Sequence, residues 1–385
     1  MRICIPIHSF EPGGVERVGL RLAERWKAAG HEVTVVLGRP RGIAKAQAPR
    51  LDYRTRREPF PTDGWETPWL VWSLWRHLRE NRPDVIFCAG NTYTIVCVLM
   101  KLLLGKRCPP VLVKISNDLV RSDYPAPMQA LYGVWVRIQG RVLDRFVALA
   151  EPMLPQILRE LNVTPERAVA IPDPALHDDE IAAPPVARPD AAGGRRFLAV
   201  SRLAKQKNLP LMLDAFARIA RPDDRLDIAG EGGQRALIER RIAELGLGAS
   251  VTLLGHKEDV RPLLDGAHVL VMSSDYEGVP AVVAEALAAG RPIATTDCCV
   301  SMRWLVQDGR FGALAPVRDA AALAEAMSLA AEMTPDMAEM HRFSALFTLG
   351  KAAPAYVAAM QALASDALAP ATGTGRKPAN RTTPC

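Results

Sequence analysis

Two carboxylates and two cations carry the spacing that suggests chemistry in this sequence. Glu277 stands in Ser273-Ser274-Asp275-Tyr276-Glu277-Gly278-Val279-Pro280, and Glu285 follows within Ala281-Val282-Val283-Ala284-Glu285-Ala286-Leu287. Two carboxylates at one edge of a sheet accept hydrogen bonds from the vicinal hydroxyls of a sugar or ribose. Arg202 and Lys207 stand in Ser201-Arg202-Leu203-Ala204-Lys205-Gln206-Lys207-Asn208. An arginine grips phosphate oxygens as a planar fork, and a lysine brings a mobile point charge. Gly13 and Gly14 put bare backbone N–H groups at a helix start, where the helix dipole favours an anion. Gly230, in Asp227-Ile228-Ala229-Gly230-Glu231-Gly232, either lets backbone approach a nucleotide or simply makes a turn. Each feature alone also reads as surface charge or a tight turn. Gly13-Gly14 lacks the Gly-x-Gly-x-x-Gly spacing of a dinucleotide fold. The sequence has no Asp-x-Asp and no Cys-x-x-Cys, so a metal clamp is not expected.

The elements around these residues put them at strand ends. His268–Met272 is a short apolar run that reads as a buried parallel strand. Pro280 suits the first position of a helix in which Val283 and Leu287 recur at helical spacing, Gly290 closes it, and Pro292–Thr295 starts the next strand. Glu277 therefore sits at a strand's carboxyl end and Glu285 a turn into the helix, at the edge where open α/β sheets bind ligands. Phe197–Val200 is a strand ahead of Arg202, with a helix over Pro210–Ala220; Val251–Gly255 is another, followed by His256 and Lys257. Earlier, Arg2–Ile7, an amphipathic helix over Val15–Ala29 and Val33–Leu37 make a βαβ opening. Strands are expected at Val85–Cys88, Val111–Ile115, Phe146–Leu149 and Ala168–Ile171, with helices over Pro127–Leu143 and Pro152–Leu161. The Pro/Ala/Gly-rich residues 178–194 read as a linker. Residues 1–190 and 191–350 are thus expected as two domains, with 351–365 returning toward the first and 366–385 a disordered tail.

Composition agrees with a two-domain globular chain: 385 residues, 49% hydrophobic and 23% charged. No apolar run is long enough to span a bilayer, no signal-peptide layout opens the chain, and the seven scattered cysteines suit reduced thiols, so a cytoplasmic location is expected. Residues 1–190 hold 26 Lys and Arg against 21 Asp and Glu. That excess points to an anionic partner, a phosphate-bearing substrate or an acidic lipid surface. No basic stripe is interleaved with aromatics, so nucleic acid is not expected. Trp65, Trp69, Trp72 and Trp75, and the apolar-basic run from Ile95 to Arg107, read either as core helices or as interfacial ones resting on an anionic membrane.

The string from Glu277 to Pro292 resembles the Glu-x7-Glu signature of glycosyltransferase family 4, retaining and metal-independent enzymes of the GT-B fold. The Arg-Leu-x3-Lys-Asn spacing at Arg202 and the Gly13-Gly14-Val15-Glu16 loop are similar to that family's diphosphate-binding segments. The resemblance implies two Rossmann-like α/β domains, with parallel sheets facing across a cleft. It implies no cofactor beyond the donor substrate, a UDP- or GDP-linked sugar, and a glycan or lipid-linked acceptor. Glu277 would lie against the donor sugar and Glu285 would hold the ribose. Arg202 and Lys207 would bind the diphosphate, Gly13 and Gly14 would close over it, and Gly230, His256 and Lys257 would approach the nucleoside. Three departures stand out. Asn117 and Asp118 occupy the place where many relatives carry a histidine that contacts the sugar, Asp173 replaces an asparagine in Ile171-Pro172-Asp173-Pro174, and Met302 and Trp304 replace a glycine and a glutamate. A hydrolysing nucleotide-sugar epimerase and a binding module without turnover are the alternatives.

Overall fold

A computed structural model describes residues 1–368 other than 12, 43–44, 47, 59–60, 63 and 121–123. The first sheet is built from β1 (Arg2–Ile7), β2 (Glu32–Leu37), β3 (Asp52–Thr55), β4 (Val85–Cys88), β5 (Val111–Ile115), β6 (Arg145–Ala148) and β7 (Ala168–Ala170). The second holds β8 (Arg196–Val200), β9 (Arg225–Ala229), β10 (Val251–Gly255), β11 (Val269–Met272), β12 (Ile293–Thr296) and β13 (Gly312–Ala315). Strand order is 3-2-1-4-5-6-7 in one and 10-9-8-11-12-13 in the other, with every pairing parallel. The order reverses between β1 and β4 and again between β8 and β11. A crevice opens at each reversal, because the connections leave there in opposite directions.

Central strands are apolar on both faces because helices cover both faces: β4 is Val-Ile-Phe-Cys and β11 Val-Leu-Val-Met, buried throughout. The edge strand β3, Asp-Tyr-Arg-Thr, is mostly exposed and lacks any such apolar run. Right-handed crossovers place α2 (Glu66–Glu80), α3 (Thr94–Leu104), α4 (Ala126–Val142) and α5 (Leu154–Leu161) side by side in one layer, each packed on the next. The opposite face of the first sheet carries α1 (Gly14–Ala28) and the C-terminal helix Leu349–Leu368, which crosses back to it. There Trp26 Nε1 donates to the Ala353 carbonyl at 3.0 Å, and the Trp26 and Tyr356 rings meet Phe87 edge-on at 5.0 and 5.4 Å.

Two buried ion pairs tie the frame. Lys114 in β5 lies 2.7 Å from Asp173, which accounts for the acid standing where the family pattern has an asparagine. Arg195 pairs with Asp224 at 2.6 Å ahead of β8. Among the described residues, no helix is long and apolar enough to cross a membrane.

Candidate active site

The second sheet builds one side of the site from three adjacent strand exits. After β8, the turn Lys205–Lys207 ends in Asn208, whose φ of 44° is left-handed. This turn is laced to the loop after β11. Asp275 N–H donates to the Gln206 carbonyl at 2.9 Å, Gln206 Nε2 to the Tyr276 carbonyl at 2.8 Å, and Asn208 Nδ2 to Asp275 Oδ1 at 2.9 Å. Ser273 Oγ donates to the Lys207 carbonyl at 2.8 Å. The lacing brings Lys207 Nζ to 2.6 Å from Glu277 Oε1, both side chains largely buried. The loop after β12 joins from the far side, its Cys298 carbonyl accepting from Glu277 N–H at 3.3 Å. The two sequence segments that suggested phosphate and sugar chemistry therefore meet at the β8–β11 reversal.

Glu285 lies five residues into the helix Ala281–Ala288, half-buried and facing the first domain. Burial pushes its carboxyl up to about 7; Arg17 and Arg21 of α1 oppose that shift, while Glu180 and Asp259 add to it. Pro280 does not take the first helical position: it caps the helix in an extended conformation, and the helix begins at Ala281. Arg202 is exposed, and among the described residues no side chain pairs with its guanidinium.

The first sheet faces this with a quieter edge. Gly13 caps α1 and Gly14 opens it. A Cβ on Gly13 would strike the Glu16 carboxylate, which folds back there and accepts from Tyr93 Oη at 2.6 Å. Tyr93 follows β4, its ring 4.8 Å from that of His8 after β1, and His8 Nε2 lies 3.3 Å from Thr67 Oγ1. Burial lowers the His8 pKa despite the nearby Glu66 and Glu16. These groups satisfy one another.

Among the described hydrogen bonds of the two crevices, it is the exit of β5 that reaches across. Gly278 packs directly on the Ser116 carbonyl, where a Cβ would not fit. Asp118 N–H points at the Glu277 carbonyl at 3.4 Å, and Asp118 Oδ2 accepts from Val300 N–H at 3.0 Å. The other carboxylate oxygen, Oδ1, is buried without a hydrogen-bond partner among the described residues. Burial raises the Asp118 pKa to about 6, against the pull of the Val300 N–H.

Other expectations fall out unevenly. Gly230 has φ 145° and sits against the Ser201 carbonyl, so packing between the β8 and β9 exits accounts for it. Its N–H donates to the Gly255 carbonyl at 2.7 Å, which places the exposed His256 and Lys257 beside it. Trp304 turns inward onto Phe343 and Phe347 at 5.0 and 5.7 Å, so the loop gives up an acid for an aromatic cluster. On α2, Trp69 is core, donating to the Gly38 carbonyl at 2.9 Å, whereas Trp72 is exposed and stacked on it at 4.9 Å. Sequence reasoning missed Gln206, Asn208 and the Arg17–Arg21 pair; the last were visible as cations one helical turn apart behind Gly13-Gly14.

Comparison with known proteins agrees with this fold. Residues 12–175 match the family described as Glycosyltransferase Family 4, and residues 194–332 match Glycosyl transferases group 1. A Campylobacter jejuni α-1,4-N-acetyl-D-galactosaminyltransferase, whose name specifies a diphospho-undecaprenol-linked acceptor, is 25% identical over 86% of this chain and 88% of its own. An exopolysaccharide phosphotransferase of Streptomyces coelicolor is 30% identical over 57% of this chain but only 24% of its own length. The chain spans between about a quarter and two fifths of the length of several curated relatives it matches. Anabaena HepE, solved with UDP, superposes with a TM-score of 0.73 at 17% identity, covering 94% of this chain and 100% of that one.

Proposed function

Starting from a chain that is a glycosyltransferase of the GT-B fold, we propose that it moves a hexose-type sugar from a UDP- or GDP-linked donor to a glycan or lipid-linked acceptor. Transfer retains the anomeric configuration and needs no metal, and it serves polysaccharide, lipopolysaccharide or glycolipid synthesis. The observation that carries this reading is the 2.6 Å contact of Lys207 with Glu277 at the β8–β11 reversal. An ammonium has three donors, so Lys207 can hold Glu277 and still take a phosphate oxygen. Glu277 keeps a second oxygen for a sugar hydroxyl. Arg202, free of side-chain partners among the described residues, supplies the second positive charge on the leaving diphosphate. Glu285 accepts from the ribose hydroxyls. Gly13 and Gly14 close over the diphosphate, and Gly230, His256 and Lys257 border the nucleoside. The acceptor oxygen bonds to the anomeric carbon on the face from which the diphosphate departs, the carbon–phosphate-oxygen bond breaks, and the departing phosphate takes the acceptor's proton. Asp118 occupies the acceptor side. The acceptor named for the Campylobacter relative supports the lipid-linked option.

A donor screen tests this by following nucleoside diphosphate release across UDP- and GDP-sugars in excess chelator, with the product anomer assigned by NMR. Release in chelator with retained configuration is expected. Turnover lost in chelator and restored by manganese or magnesium overturns the metal-independent reading, and an inverted product overturns retention.

A further inference from the structure

The outer face of the α2–α5 layer carries something the cleft does not need. On α4, Met128, Leu131, Val134 and Ile138 form an exposed stripe at helical spacing, with Leu131 72% exposed. On α3, packed beside it, Ile95, Leu102 and Leu103 share the outward face, and Leu102 is 66% exposed. Neither helix contains a single acidic residue. Four basic side chains stand exposed on or just after them: Lys106 and Arg107 after α3, Arg137 and Arg141 on α4. A fifth, Lys101, is taken by Asp144 at 2.6 Å.

Solubilising helices mix both signs of charge, and a single-sign basic edge around exposed leucines does not serve solubility. We propose that this α3–α4 face is a docking surface for an anionic lipid bilayer. Leucine, isoleucine and methionine side chains enter the headgroup boundary while the long basic stems keep their charges at the phosphate level. Charge complementarity selects this occupant over a second copy of the chain, since an isologous pairing would set Arg137 and Arg141 against a like-charged row. The α4 helix begins on the chain just beyond Asp118, at the cleft edge of β5, so a docked face brings the acceptor side of the cleft to the lipid surface. The inference deepens the proposed lipid-linked acceptor and rests on that reading only for its purpose.

The test is cosedimentation of the whole chain with phosphatidylglycerol-containing and pure phosphatidylcholine vesicles at low and high salt, without donor. Binding to the anionic vesicles alone, weakened by salt, is expected. Each basic side chain near an anionic surface multiplies partition by about five, so Arg137→Ser with Arg141→Ser lowers it about 25-fold. Leu131→Ser with Ile138→Ser lowers it at least about tenfold, and Leu102→Ser with Leu103→Ser acts the same way from the other helix. All six positions are exposed, so unchanged melting temperatures are expected of the variants. No binding to anionic vesicles overturns the proposal, as does binding that none of the three double substitutions weakens. A dimer that Leu131→Ser with Ile138→Ser dissociates, in a protein that ignores vesicles, overturns it in favour of a second copy. Vesicle binding is read without turnover, so a failed donor screen and a failed lipid assay are separate results.

Discussion

Two crevices face each other in this molecule, and they are built on opposite principles. At the β8–β11 reversal the polar groups of three loops hold each other while Arg202 and the outer valences of Lys207 and Glu277 are left for a ligand. At the β1–β4 reversal His8, Glu16, Tyr93 and Thr67 close a circuit among themselves. One edge leaves charged groups open, and the other pairs these four side chains with one another. The difference suits the proposed reading, in which the second sheet holds the anionic donor and the first sheet faces the acceptor. Asp118 and Gly278 are where the first sheet touches the charged edge.

The charged edge gives the largest expected effect. Lys207→Ala removes the positive charge proposed to face the leaving diphosphate and strands the mostly buried Glu277 carboxylate. A loss of about 100- to 1000-fold in kcat/KM is expected from such a group, measured by nucleoside diphosphate release. His8→Ala, on the completed edge, is expected to leave affinity for the bare nucleotide unchanged. Equal losses of nucleotide affinity in the two variants would erase the contrast.

Glu285 sharpens it next. A charge-assisted hydrogen bond contributes about 1.5–3 kcal/mol, so Glu285→Ala should weaken nucleoside diphosphate binding about 10- to 100-fold by calorimetry. Glu277→Ala should damage turnover more than bare-nucleotide affinity. The raised carboxyl of Glu285 also sets a pH trend. Its folded pKa, about 7, lies above the unfolded carboxylate value, so the folded state holds the extra proton between roughly pH 4.5 and 7. Stability of the free protein therefore falls as pH rises through that window, by up to about 3 kcal/mol. Nucleotide affinity rises over the same range as the carboxylate ionises. Glu285→Gln should flatten both curves in denaturant melts and calorimetry.

Gly278→Ala probes the junction itself. Its Cβ meets backbone at Ser116 rather than a flexible side chain, so the loops must part. About a tenfold loss of turnover with unchanged nucleotide affinity is expected. Small-angle scattering should show a larger radius than for the wild type. A compact, fully active Gly278→Ala protein would mean the two sheets do not need this contact.

The same contrast explains what the sequence revealed. The charged edge was legible because Glu277, Glu285, Arg202 and Lys207 stand at local spacings around strands whose apolar runs are unmistakable. The Lys207–Glu277 pairing was not, since it joins residues 70 positions apart through backbone lacing. On the first sheet, β3 escaped notice because an exposed edge strand needs no apolar face. The helix at 126–142 was expected, but periodicity does not tell whether its apolar side chains meet protein or solvent. Asp173 and Trp304 looked like losses from a pattern and are instead pieces of packing, one answering Lys114 and the other Phe343 and Phe347.

Asp118 joins the two edges, and its asparagine substitution gives the smallest expected loss of rate among these site variants. Its Oδ2 holds Val300 N–H across the cleft while its Oδ1 is buried and unpaired, so the carboxylate is half occupied by structure and half available. Asp118→Asn preserves an acceptor for Val300 and removes the titration, so only a few-fold loss of kcat/KM is expected near pH 8. Burial has raised this carboxyl to about 6, above the unfolded value, and the acid therefore ionises as pH climbs through 6. If the ionised form receives an acceptor or donor hydroxyl, kcat/KM of the wild type rises through that pH and levels off above it. The Asn variant should lose this limb and keep the one near 7 that belongs to Glu285. Asp118→Ala also cuts the Val300 contact and should lower activity at every pH, by roughly tenfold for a hydrogen bond to a charged group. A pH–rate profile in which Asp118→Asn keeps an inflection near 6 would show that the carboxylate only fastens the two loops together. The first sheet would then contribute shape and no chemistry to the reaction.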